Sequence, residues 1–139
     1  MKYFLIEADV PGWVRNSRQD LDNLSELSVI HYTFDCWPDD DIAESNPVYI
    51  ISEKLSKAIV SAGMTGFILK GCESSKGEQF EIASPGRGDL PPYLWLDVTG
   101  TAGVDDFGIS ENLTLVVSQR VMSILDNFCM KMANISPFE

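Results

Sequence analysis

Val48-Tyr49-Ile50-Ile51-Ser52-Glu53-Lys54-Leu55 and Thr114-Leu115-Val116-Val117-Ser118-Gln119-Arg120-Val121 are two versions of one stretch, 66 residues apart and aligned without a gap. Ser52 matches Ser118, Lys54 matches Arg120, Ile59 matches Leu125 and Met64 matches Met130. In each version an apolar run of strand type ends in a serine. A serine there can cap a helix, because its hydroxyl accepts from the free backbone N–H groups of the first turn. Behind it, Leu55, Ala58, Ile59 and Ala62 recur at helical spacing, as do Val121, Ile124, Leu125 and Phe128. Both patterns predict a one-faced helix of about three turns. Gly63 suits a left-handed stop, whereas Cys129 holds that position in the second version. Extended segments follow at Thr65–Cys72 and Lys131–Ile135, so a strand–helix–strand unit is expected twice, over 48–72 and 114–135.

Outward from these units, Lys2–Val10, Ser28–Phe34, Gln79–Ala83 and Tyr93–Val98 read as further strands. Residues 12–27 are polar and weakly helical from Asp20 to Leu27. The Pro/Gly-rich stretch 85–92 and the stretch 100–107 read as loops. Gly100-Thr101-Ala102-Gly103 lacks the lysine of a phosphate-binding loop, and two acids follow it closely. Interleaved strands and helices predict an α+β fold, a mixed sheet with helices packed on it. At 139 residues the chain is expected to form a single domain.

Charge narrows the function. Ten Lys and Arg stand against 21 Asp and Glu, a net charge of −11. Phosphate contacts need clustered Lys and Arg, so a nucleic acid is not the expected partner and a basic surface is. No run approaches the roughly 18 apolar residues of a membrane helix. The start carries Glu7 and Asp9 and shows no signal pattern, which suggests a cytoplasmic protein. Three scattered cysteines, Cys36, Cys72 and Cys129, with one histidine, His31, do not make a zinc site, and free thiols are expected. Neither metal nor cofactor is expected. Ser52 and Ser118 lack the flanking glycines of a nucleophile elbow and read as helix caps.

The excess acid is uneven. Residues 1–47 hold ten acids and three bases, and 89–139 hold seven acids and two bases, while 48–88 are nearly neutral. The densest point is Cys36-Trp37-Pro38-Asp39-Asp40-Asp41. Three adjacent carboxylates repel one another and are expected to be solvated, bound to a cation or facing a basic partner. An aromatic ringed by charge has the composition of an interface anchor. The candidate partner-binding residues are therefore Asp35, Trp37, Asp39, Asp40, Asp41 and Glu44, with Asp105 and Asp106 in the second acidic stretch. Lysine at Asp39, Asp40 and Asp41 is expected to leave the fold intact and slow association.

The doubled step from an apolar strand through V/I-S-E/Q-K/R into an amphipathic helix, preceded in its second version by Asp105-Asp106-Phe107-Gly108-Ile109-Ser110, resembles bacterial immunity proteins of polymorphic-toxin and contact-dependent inhibition systems. The resemblance covers 47–69 and 105–139, with Gln119 where that group carries an acid, and hardly touches the N-terminal third. It implies a non-enzymatic antitoxin that binds and neutralises a cognate toxin domain in the cytoplasm. Two other classes fit the composition. One is a small enzyme holding Mg²⁺ or Ca²⁺ with Asp97, Asp105 and Asp106 or with the Asp39–Asp41 run. The other is an acidic adaptor that mimics a nucleic acid.

Overall fold

Ser52 and Ser118 stand at two strand-to-helix junctions and cap the helices that follow. The computed structural model describes residues 1–139. In chain order the elements are β1 (Tyr3–Glu7), β2 (Gly12–Val14), α1 (Arg18–Asp22), β3 (Val29–Phe34), β4 (Ile42–Ser45), β5 (Val48–Ser52), α2 (Glu53–Ser61), β6 (Phe67–Lys76), α3 (Phe80–Ala83), β7 (Tyr93–Val98), β8 (Phe107–Ile109), β9 (Leu115–Ser118), α4 (Gln119–Leu125) and β10 (Asn134–Phe138). The fold is α+β, with a mixed sheet and helices on sheets. No helix is long and apolar enough to cross a membrane.

The strands form a six-stranded sheet, β2-β3-β6-β7-β5-β4, and a four-stranded sheet, β10-β1-β9-β8. The last four strands of the first sheet, β6-β7-β5-β4, repeat the order of the second. In both, a hairpin leads into a helix, and the strand after the helix is separated from the hairpin by a strand from elsewhere in the chain. That inserted strand is β7 in one sheet and β1 in the other. The registers agree as well. Tyr93 lies opposite Ser52 and Tyr3 opposite Ser118. Ile42 lies opposite Ile51 and Phe107 opposite Val117.

A core shared by both sheets follows from this. Its thirteen buried residues are Ala8 and six corresponding pairs: Ile6 and Leu96, Ile42 and Phe107, Tyr49 and Leu115, Ile51 and Val117, Leu55 and Val121, Ile59 and Leu125. The helix pairs among them are the i, i+4 positions read from the sequence. Each such side chain contributes about 2 kcal/mol by leaving water. Residue alternation sends Val48, Ile50 and Trp95 to the opposite face of the six-stranded sheet. There they join Ile30, Tyr32, Phe34 and Phe80 in a second core. β5 is consequently buried on both faces.

The helix ends show why each terminates. Gly63 takes φ +69°, its N–H donates to Val60 O at 3.0 Å, and Met64 N–H donates to Ile59 O at 3.1 Å. This is the left-handed stop expected of a glycine there. α4 ends instead in tight turns, with Asn127 N–H donating to Ile124 O and Phe128 N–H to Leu125 O. At nine and seven residues, both helices are shorter than three turns.

Several local expectations are corrected. Gln79–Ala83 contains the helical turn α3 and no strand. No neighbouring strand offers it a ladder, and one residue, the fully buried Phe80, anchors it in the second core. β4 and β8 form in the two acidic stretches, where the sequence predicts no strand. β2 and α1, followed by a 3-10 turn at Leu24–Glu26, organise the polar segment 12–27. β3 then adds in parallel to the second half of β6, from Val29 opposite Gly71 to Phe34 opposite Lys76.

Candidate partner-binding surface

The eight residues picked out by charge occupy three different settings. Around Asp40, Asp41 and Asp106, donors within the chain take up the carboxylates. Ser52 Oγ accepts from Leu55 N–H at 3.3 Å and donates to Asp41 Oδ1 at 2.6 Å. Ser118 Oγ accepts from Val121 N–H at 3.3 Å and donates to Asp106 Oδ1 at 2.6 Å. The other oxygen of each aspartate reaches across to the opposite unit. Asp41 Oδ2 accepts from Cys129 N–H at 2.7 Å, just beyond α4. Asp106 Oδ2 accepts from Thr65 N–H at 3.0 Å, just beyond α2. Each acid thus fixes the cap of one helix and the exit of the other, a reciprocal brace. Asp40 is 2% exposed and accepts from Met132 N–H at 2.8 Å.

Asp40 and Asp106 are therefore corrected from surface residues to buried struts, and Asp41 is half-buried with both carboxylate oxygens engaged. Carboxylates can be buried when backbone N–H and hydroxyl donors replace water, and here they do. Burial by itself would raise the Asp106 carboxyl, but Ser118 and Thr65 donate to it and the Arg120 guanidinium lies 3.8 Å away, so it is held below the usual carboxylate range. Lysines at Asp39, Asp40 and Asp41 would break the fold rather than leave it intact. Glu44 and Asp105 are also engaged: Glu44 Oε1 accepts from Ala8 N–H at 2.7 Å, and Asp105 Oδ2 from Thr101 N–H at 2.7 Å.

Burial raises the Glu44 carboxyl, with Glu7 adding repulsion against the lowering effect of the Ala8 bond. Asp9 is raised for the same first reason, reinforced by Asp40 and Asp39. A carboxyl whose folded pKa exceeds its unfolded one adds stability that is full below the unfolded pKa and lost as pH rises through the folded one. Glu44→Gln is accordingly expected to raise the melting temperature at pH 7 and to shrink the gain the native protein shows as pH falls from 7 to 4, below the ordinary carboxyl value. Melting curves of both proteins across that range check this; parallel curves would refute it.

Trp37, Asp39 and Asp35 lie near one another at the end of β3. Trp37 is half-buried against the second core, its ring 6.5 Å from that of Phe80, and the Arg87 guanidinium lies 5.0 Å from its ring centre. Asp39 is exposed, with Arg87 at 3.9 Å. Asp35 lines a shallow polar hollow with Trp13, Arg15, Thr33 and Lys76. Asp39 thus has a base at ion-pair distance, whereas Asp35 shares its hollow with two bases, Arg15 and Lys76, and a second acid, Glu78. His31, on the exposed face of β3, pairs with Glu73 at 3.0 Å.

A surface that the charge reading missed lies on the outer face of the four-stranded sheet. A cleft of about 780 Å³ has Leu5, Ala102, Ile109 and Phe138 as its apolar lining. Glu7, Glu111 and Glu139 also line it, and no Lys, Arg or His does. None of the three is in an ion pair. These acids are far apart in sequence, so no run of like charge announces them; only the sheet brings them together.

No three His, Cys, Asp or Glu side chains converge in a way that would hold a metal ion. Asp97, which the sequence suggests as a partner for Asp105 and Asp106, is instead paired with Lys70 at 2.8 Å. The three cysteines are free and half-buried, and burial pushes the Cys72 thiol up to about 11. Compared with known proteins, the chain matches no family model and no curated protein.

Proposed function

We propose that this chain is a non-enzymatic inhibitor of the immunity type, which binds a basic toxin domain stoichiometrically in the cytoplasm. The observation that carries the reading is the cleft in which Leu5, Ala102, Ile109 and Phe138 stand among polar residues that include three unpaired glutamates. Protein interfaces combine an apolar centre with a charged rim. Uncompensated carboxylates around such a centre favour a cationic partner and speed its encounter. Asp22, Glu26, Glu78, Asp89 and Asp126 are also exposed and unpaired and add to the net negative charge of the surface as a whole. The doubled strand-to-helix step resembling immunity proteins agrees with this function.

The test is to sequence the neighbouring genes for a toxin with a basic C-terminal domain and to co-express that domain with this chain; a neighbourhood without one counts against the proposal. A 1:1 complex is expected, with an association rate that falls as salt rises, together with survival of cells that otherwise die. Failure to form the complex and to protect would overturn the proposal.

A further inference from the structure

We infer that the cleft on the four-stranded sheet receives a lysine side chain of a basic protein partner, with Glu7 as its counter-ion. The inference rests on the inhibitor reading above and names the site it would use. Its basis is the correspondence between the two sheets. β7 and β1 hold the same place, so Trp95 corresponds to Leu5 and Asp97 to Glu7. β6 and β10 also correspond: Lys70 lies opposite Trp95, and Ser136 lies opposite Leu5.

In the six-stranded sheet this position is filled from within. Lys70 Nζ lies 2.8 Å from Asp97 Oδ2 and 4.7 Å from the Trp95 ring centre, with both charged side chains under one-fifth exposed. The ammonium itself lies over the Trp95 ring and beside the Asp97 carboxylate, so both take its charge. In the four-stranded sheet the acid is kept as Glu7, and the apolar Leu5 stands in place of the Trp95 ring, with the aromatic Phe138 lining the same cleft. The cation is missing. Ser136 stands where Lys70 stands, on the same face as Leu5, and its hydroxyl supplies no charge. Glu7 is left exposed and unpaired, with Glu111 and Glu139 lining the same cleft. The chain itself thus displays the ligand that this arrangement holds, a lysine laid over an apolar residue and paired to the next carboxylate on the strand.

The test uses the full ¹⁵N-labelled chain and the acetylated, amidated peptide Gly-Phe-Lys-Gly-Lys-Gly, with a control peptide carrying norleucine for both lysines. Amide shifts are expected at Leu5, Glu7, Ile109, Ser136 and Phe138 with the lysine peptide alone. Glu7→Gln, at an exposed position, is expected to keep its melting temperature and to weaken binding about fivefold. Ser136→Lys supplies the missing cation in cis and is expected to abolish the shifts. Shifts centred on Asp35 and Asp39, equal binding of the norleucine peptide, or binding indifferent to both substitutions would overturn the site. A toxin-domain complex that forms unchanged with Glu7→Gln also overturns it while leaving the inhibitor reading intact. Conversely, peptide binding at Glu7 in a protein that binds and neutralises no toxin domain supports the site and overturns the inhibitor reading.

Discussion

Asp106→Ala is expected to lower the unfolding free energy by about 3 kcal/mol, because it removes the acceptor of three donors, the Thr65 hydroxyl at 3.3 Å and two shorter ones. Ser118 Oγ–H loses its 2.6 Å acceptor and Thr65 N–H loses its 3.0 Å one. The site is 5% exposed, so water cannot easily replace the carboxylate. For a chain of this size the change corresponds to roughly 10 °C in melting temperature. Asp41→Ala removes the matching bonds to Ser52 and Cys129 and is expected to cost a similar amount. The pH dependence gives a second readout. Because the folded Asp106 carboxyl is held below its unfolded value, its contribution is full above the unfolded pKa, near 3.8, and is lost as pH falls through the folded one. The gap between native protein and variant should therefore be wide at pH 6 and close in strong acid. A loss below 1 kcal/mol at pH 6 would show that the brace does not hold the two units.

Gly100→Ala is the other large effect, expected to cost more than about 3 kcal/mol and to leave little folded protein. A Cβ at Gly100 would stand 2.3 Å from Phe107 O, 2.6 Å from Gly66 Cα and 2.7 Å from Asp105 Cβ. The first two are backbone atoms in a fixed crossing. Gly66 O accepts from both Thr99 N–H and Gly100 N–H at 2.9 Å, and Phe107 N–H donates to Thr65 O at 3.0 Å. The exit of α2, the end of β7 and the start of β8 meet there with no room for a side chain. Gly63→Ala is the contrast. It has φ +69° and nothing within 4 Å of a built Cβ, so only the left-handed strain of about 1 kcal/mol is expected. Urea midpoints of the two variants should separate clearly; similar midpoints would refute the crowding argument.

These two sites also show where sequence reading succeeded and where it stopped. The strand, serine and amphipathic helix at 48–61 and 114–125 were legible because each signal is local: an apolar run, a capping hydroxyl and a 3.6-residue stripe. β4 and β8 escaped because three or four residues carry too little periodicity. A signal did exist. Asp41-Ile42-Ala43-Glu44-Ser45 and Asp106-Phe107-Gly108-Ile109-Ser110 are alike and precede the two serines at nearly the same distance. Reading the acids as a charge run hid them as the first residues of a repeated hairpin. Tyr3-Phe4-Leu5-Ile6-Glu7 and Tyr93-Leu94-Trp95-Leu96-Asp97 are alike too. They escaped because one comes before its unit in the chain and the other after, so no constant offset relates them.

By itself the sequence determined the α+β class, the two capped helices and the first two turns of their buried faces, since these follow from neighbours along the chain; Ala62 and Phe128, expected on those faces, lie beyond the helix ends. Only the tertiary structure decided which acids are surface and which are struts. A carboxylate's environment depends on donors supplied from far away: Cys129 for Asp41, and Thr65 for Asp106. It also gathered Glu7, Glu111 and Glu139 around one cleft, because proximity there is created by strand order and register, which no local pattern encodes.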